Sequence, residues 1–419
     1  MKSLSKILNS NISQQLFYLL VLVLFLRIDL VFENNTPTGG DMGAHIVAID
    51  TFIKDFMPNL QINGWSNDWF GGYPLYYFYF PLPAIITFIF NLVFPFGIAF
   101  KIMVVMSTIL VVYSIEKLMR KTSNQISIYG ATAGLFYVFT ESFTIYGGNL
   151  ASTLAGQFSF AYSLAFANLS IFYLIKSKNN FRFTISSIFL ALCLLSHLIP
   201  FIIYSPIYAF YWLSKKQNLN QRILSIFIFL ALVSRWSVSL LMNLEYTTNM
   251  SYTPFSRLDD LIKKDILPII FILIGLLIAK HKNLIKNKTL NLFDFYIVSS
   301  SILLYFYVPE GALWNGRLVP FFNLGIIFLF FKAVEIFIDD INLYQQGVNV
   351  FTGLFLGGTI YCLYIFYEKW STNQSYLNLY IPIIFLIMIF AILNLKNVAV
   401  QLNLLIVSII FSTISFLPH

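Results

Sequence analysis

Asp41 stands in Thr38-Gly39-Gly40-Asp41-Met42-Gly43-Ala44-His45, a polar loop just past the first apolar run of a largely apolar chain. A carboxylate at such a place can take a proton from a bound hydroxyl. The same residue follows two glycines and precedes the periodic Ile46, Ile49, Ile53 and Phe56, so it also reads as a helix cap. His45 falls four residues later on the same helical face, as a helper of the carboxylate or as a solvated group. Spacing alone leaves both readings open.

A second polar stretch follows, from Asn63-Gly64-Trp65-Ser66-Asn67-Asp68-Trp69 to Gly71-Gly72-Tyr73-Pro74. Aromatic faces take the apolar side of a sugar ring and carboxylates take its hydroxyls, so this stretch can line a sugar-sized pocket. It equally fits an aromatic belt at a membrane interface. Further along, Glu141, His197 and Arg317 lie at or near the ends of apolar runs. Arg235 sits deep in its run, where a charge is costly and usually functional; its alternative is a pair with Asp29 or Glu245. For Arg317 the alternative is contact with a lipid headgroup. No nucleotide-phosphate loop, H-E-x-x-H or G-x-S-x-G pattern occurs. With His45, His197, His281 and His419 as the four histidines, a multi-histidine metal site is not expected.

The elements that position these residues are membrane spans. The 419 residues are 58% hydrophobic and 11% charged, with mean hydropathy +0.77. A soluble chain carries about a quarter charged residues. The bilayer must therefore be the solvent. The net charge of +8 does not point to nucleic acid, because the basic residues cluster between apolar runs. Candidate spans are 15–32, 100–118, 126–144, 156–175, 182–196, 198–213, 222–240, 265–281, 291–308, 317–337, 347–366, 379–395 and 400–417. The fold class is all-α, a polytopic bundle of about 13 spans. Basic clusters at Lys117/Arg120/Lys121, Lys176/Lys178/Arg182, Lys215/Lys216/Arg222 and Lys280–Lys288 alternate with breaks poor in Lys and Arg. The positive-inside rule then sets the N-terminus in the cytoplasm. Residues 75–98 are long enough to span, but a span there would turn the cluster at 117–121 outward. The run also carries Pro81, Pro83 and Pro95. It reads as a membrane-surface or re-entrant helix within a long outer segment, 33–99. A second outer loop covers 241–264. Residues 1–419 form one integral domain, with no soluble domain expected. Cys193 and Cys362 lie in apolar runs and read as buried small residues.

Gly39-Gly40-Asp41 with His45, Asn67-Asp68-Trp69-Phe70-Gly71-Gly72-Tyr73-Pro74-Leu75 and Tyr79-Phe80-Pro81-Leu82-Pro83 resemble the membrane domain called "6-pyruvoyl-tetrahydropterin synthase-related". Gly148-Asn149-Leu150, Gly156-Gln157-Phe158 and Trp314-Asn315-Gly316-Arg317 resemble it too, so the likeness runs over roughly residues 36–321. No pterin chemistry is implied. That family is similar to the GT-C superfamily of glycosyltransferases, which use polyprenyl-phosphate sugars and carry an acidic residue in the first outer loop. The resemblance implies a membrane glycosyltransferase moving a sugar from a polyprenyl-phosphate donor to a hydroxyl on a lipid or glycan acceptor. It implies Asp41 as general base and Arg317 as the first candidate for the leaving phosphate, with Arg235 and His197 behind it. Glu141 joins them as a binding group. His45 and Asp68 would orient sugar or acceptor, or Asp68 would hold a divalent cation beside Asp41. The partners are then the donor, the acceptor and membrane lipids, with no nucleic acid. The implied place is the plasma (inner) membrane, multi-pass, with the site extracytoplasmic. A transporter or flippase of lipid-linked sugars and a non-catalytic scaffold are the rival functions. A transporter would usually show inverted repeats with interrupted helices, and none is evident.

Overall fold

A computed structural model describes residues 22–23, 26–69, 71–122, 128–140, 145–176, 180–248, 252–262, 266, 270, 292–308 and 313–340. Glu141, Cys362, residues 15–21 of the first expected span, nearly all of 265–281, and the spans 347–366, 379–395 and 400–417 lie outside the described residues.

Among the described residues the long apolar runs lie in helices. After the short α1 (Ile28–Val31) come α2 (Met42–Thr51), a hairpin of β1 (Gly64–Ser66) and β2 (Tyr73–Leu75), and α3 (Leu82–Asn91). The bundle follows: α4 (Phe96–Thr122), α5 (Ile128–Phe139), α6 (Phe158–Lys176), α7 (Asn180–Ser196), α8 (Leu198–Ser214), α9 (Leu219–Met242), α10 (Leu292–Tyr307) and α11 (Val319–Asp340). Among the described residues three helical stretches are long and apolar enough to cross a membrane: Phe96–Arg120, Leu150–Lys176 and Leu219–Met242. α7 and α8 have 17 residues each. At 1.5 Å per residue that is roughly 25 Å, close to the lower limit for a span. His197 separates them with extended backbone (φ −168°, ψ 137°).

α5 covers 12 residues of the expected 126–144, whose ends 126–127 and 141–144 lie outside the described residues. The Thr140 carbonyl that follows α5 accepts from the Asn149 side chain. Asn149 in turn caps the next element, accepting from Ser152 N–H at 2.8 Å.

Polar side chains tie the bundle together, as expected where no water competes for them. Tyr162 of α6 donates to the Met103 carbonyl of α4 (2.7 Å), and Asn168 donates to Ser114 Oγ (3.2 Å). Both contacts advance along both helices, so α4 and α6 run parallel. Tyr204 of α8 donates to Asn168 (2.6 Å) and Ser163 of α6 to the Cys193 carbonyl (2.9 Å). Cys193 is a buried free thiol. α10 and α11 share an ion pair, Lys332 with Asp294, that is fully buried.

Residues 36–96 form a closed excursion. Gly97 lies so close to the Asn35 carbonyl that a Cβ there would sit 2.6 Å from the oxygen. Lys101 Nζ, one turn into α4, donates to Leu30 O (2.6 Å), Glu33 O (2.6 Å) and Asn35 Oδ1 (2.7 Å). Entry and exit therefore meet at the start of α4. Its 10-residue α3 is too short to cross. The excursion packs inward through Ile49, Phe52 and Phe56, all buried. α9 clamps it from outside: Trp236 Nε1 donates to the Tyr79 carbonyl (2.9 Å), and Arg235 donates to the Leu60 carbonyl.

Candidate active site

The Asp41 loop reaches the bundle because two glycines let two backbones touch. Asp41 N–H donates to the Ala155 carbonyl at 2.9 Å. At Gly40 (φ +51°) a Cβ would sit 2.3 Å from that same oxygen. At Gly156 (φ +106°) a Cβ would sit 2.9 Å from the Asp41 Cβ. Gly156 lies in a π-helical stretch, Thr153–Gln157, which interrupts the approach to α6. Such bulges re-aim side chains and recur at functional sites. Here the bulge brings Gln157 to the Asp41 loop.

Asp41 occupies the cap position of α2, yet its side chain makes no capping bond. The cap-only reading therefore fails. Its Oδ2 accepts instead from Gln157 Nε2 at 3.2 Å. Gln157 Oε1 accepts from Arg317 Nη1 at 2.8 Å. Arg317 comes from the turn Asn315–Leu318 that opens α11. The same Nη1 donates to the carbonyls of Ile145 (3.2 Å) and Tyr146 (3.1 Å). Among the described residues Nε and Nη2 of Arg317 have no partner. The guanidinium is thus held by one nitrogen and offers its remaining planar edge, a shape suited to phosphate or carboxylate oxygens. The Asp41 carboxylate is exposed, with Oδ1 unengaged among the described residues.

His45 lines the same place. Its ring packs edge-on to Phe158 (4.8 Å) and tilted to Tyr79 (5.6 Å). Burial pushes its pKa below the usual histidine value, and the Asp41 charge only partly opposes that. The group is therefore a neutral imidazole at neutral pH.

Three expected site residues have other work. His197 caps α8, its Nδ1 accepting from Ile199 N–H at 3.2 Å, while its ring stacks on Phe80 (4.8 Å). Burial, with repulsion from Arg317, takes its pKa down to about 3, so it is no cation for a phosphate. Arg235 is exposed and clamps Leu60; Asp29, one of its two suggested partners, pairs with Arg27 at 2.7 Å. Asp68 Oδ2 accepts from the hydroxyls of Thr51 and Ser66, tying the hairpin to α2. Those two bonds, Thr51 first, hold it below the usual carboxylate range. No hydrogen bond among the described residues joins Asp68 to Asp41. Among the described residues no group of three His, Cys, Asp or Glu is placed to hold a metal ion.

Gln157 is the residue that reading by charge and spacing missed. A neutral amide carries no signal of its own; the trace was Gly156 immediately before it, at the start of an apolar run. Tyr79 is a second addition, within electrostatic reach of both Asp41 and Arg317. Beside Arg317, Trp314 stacks on Tyr252 (5.2 Å) and meets Tyr146 (5.1 Å) and Phe255 (5.5 Å). Asn315 holds Phe255 by both its amide atoms, at 2.9 and 2.7 Å, and so brings the second loop to the site.

No protein-family model matches this sequence, and no curated protein matches it. Among solved structures, ArnT from Cupriavidus metallidurans in the apo state is similar, with TM-score 0.57 over 96% of this chain and 76% of that chain. The sequence identity is 10%, so the likeness is one of fold. The chain has an ArnT-like, mostly helical, multi-pass membrane architecture.

Proposed function

We propose that the protein is a GT-C glycosyltransferase that moves a sugar from a polyprenyl-phosphate donor to a hydroxyl acceptor. The observation that carries this is the Asp41–Gln157–Arg317 relay in an ArnT-like fold. The fold supports the superfamily; the motifs quoted above carry the narrower family resemblance. The donor's leaving group is a phosphate, already stable as an anion, so departure needs no general acid. Glycoside hydrolysis differs, since two carboxylates share that work. One base suffices here. Asp41 takes the acceptor's proton as its oxygen attacks the anomeric carbon. Arg317 meets the phosphate with its free edge, pre-set by its bonds to Ile145 and Tyr146. His45 and Tyr79 line the space between. The site faces the extracytoplasmic side of the plasma membrane in this reading, because the basic clusters 117–121, 176–182 and 215–222 lie at helix ends remote from it.

Asp41→Asn tests the reading. Membrane lipids and glycans from cells making the natural protein or the variant are compared by untargeted mass spectrometry. The variant is expected to accumulate a polyprenyl-phosphate sugar and lose one glycosylated product at equal protein level. Unchanged lipids and glycans, with Asp41→Asn matching the natural protein, would remove Asp41 as the base.

A further inference from the structure

Gln157 lies between the two charged groups of the site, and its amide has one sensible orientation there. Only with Nε2 toward Asp41 and Oε1 toward Arg317 does the carboxylate receive a donor and the guanidinium an acceptor. No ion pair joins Asp41 to Arg317 among the described residues. Two elements bond to this amide, the Asp41 loop and the turn before α11 with Arg317, while His45 lies within electrostatic reach of Asp41 and Tyr79 within reach of both charges. Of these titratable groups, Asp41 and Arg317 are the oppositely charged pair, and the amide stands between them.

We infer that Gln157 is a neutral spacer that keeps Asp41 and Arg317 from pairing with each other. This rests on the reading of the site given above. A direct Asp–Arg bridge is charge-assisted and frequently bidentate. It would cover the guanidinium edge meant for phosphate and occupy the carboxylate meant for the acceptor. The amide satisfies both groups with single bonds and cancels neither charge. Gln157 is a positioning residue in this scheme; it touches the base and the anion holder, and reacts with nothing. The local backbone serves the same end. The bulge at Thr153–Gln157 and the close seat of Gly156 on Asp41 set the amide's height between the two groups.

The test uses the full-length protein in lipid nanodiscs and farnesyl phosphate, a short polyprenyl monophosphate, as the probe. Binding is measured by calorimetry for the natural protein, Gln157→Leu, Gln157→Glu, Asp41→Asn, Arg317→Ala and the double variant Gln157→Leu/Asp41→Asn. Gln157→Leu removes the spacer and lets the charges pair, so affinity is expected to fall by about tenfold. Asp41→Asn is expected to recover most of that loss in the Gln157→Leu background, and to strengthen binding by clearly less when Gln157 is present. A merely structural role for Gln157 would show no such rescue. Gln157→Glu keeps the size and sets a carboxylate on the guanidinium, and is also expected to weaken binding by about tenfold; it decides the matter alone if the leucine variant does not fold. Natural-strength binding by Gln157→Leu or Gln157→Glu, or a loss that Asp41→Asn leaves untouched, overturns the spacer while leaving the phosphate site standing. Failure of the natural protein to bind, or equal binding by Arg317→Ala, overturns the phosphate site and the spacer with it.

Discussion

Replacing Gly40 with alanine should displace the Asp41 loop and leave the rest of the molecule standing. The backbone of Gly40 has φ +51°, a left-handed value that costs a non-glycine residue roughly 1–2 kcal/mol. The larger effect is spatial. The new methyl would lie 2.3 Å from the Ala155 carbonyl oxygen and 2.9 Å from its carbon and Cα. These are backbone atoms, which cannot swing aside. Reaching ordinary contact requires the loop to retreat by roughly 1 Å, and a misplacement of that size can cost about 100-fold in rate. Retreat also strains the 2.9 Å bond from Asp41 N–H to Ala155 and the 3.2 Å bond to Gln157. Gly39→Ala is the control. Its φ of +106° is also unfavourable, but a methyl there meets nothing within 4 Å. Product-to-donor ratios by lipid mass spectrometry, divided by the amount of folded protein from size-exclusion chromatography, should fall about 100-fold for Gly40→Ala and far less for Gly39→Ala. Equal transfer per folded molecule in the two variants would refute the close-approach argument.

Acid should unfold the protein partly through His197. Below about pH 6.5 the unfolded chain takes up a proton that the folded imidazole refuses until about pH 3. Stability contributed by the neutral ring is complete above that window and declines as pH falls through it. His197→Asn keeps an acceptor for Ile199 N–H and removes the titration, so its melting temperature should fall less between pH 7 and pH 5 than that of the natural protein. Equal slopes would refute this. Trp236→Phe removes the donor to the Tyr79 carbonyl and should cost about 1 kcal/mol, with the excursion opening to protease. An unchanged melting temperature and cleavage pattern would show that α9 does not clamp it.

Much of the architecture is written in local sequence. The apolar runs at 100–118, 156–175, 182–196, 198–213 and 222–240 all lie in helices, because a chain in lipid must satisfy its backbone within each segment. The break at Ser196-His197 was legible because a polar pair interrupts an apolar run. No local pattern carries the bond by which Asn149 holds the Thr140 carbonyl from nine residues away. Asp41 was conspicuous as a carboxylate in a glycine-rich loop, and Arg317 as a cation at the head of an apolar run. Their fates divided from those of Asp68, Arg235 and His197 through contacts alone. Each of the five is an ionisable residue, so residue type does not separate them.

By itself, the sequence determines that this chain lives in a bilayer, that its spans are helical, and that a few charged residues must be accounted for. Those are consequences of composition and short-range periodicity. Tertiary structure decides which of the charges meet. Gln157 lies 116 residues from Asp41 and 160 from Arg317, yet bonds to both. Asp68 Oδ2 is taken by Thr51 and Ser66, and His197 Nδ1 by a helix end. A polar group's role is set by the partner that satisfies it, and over such separations only the packing of the helices selects that partner.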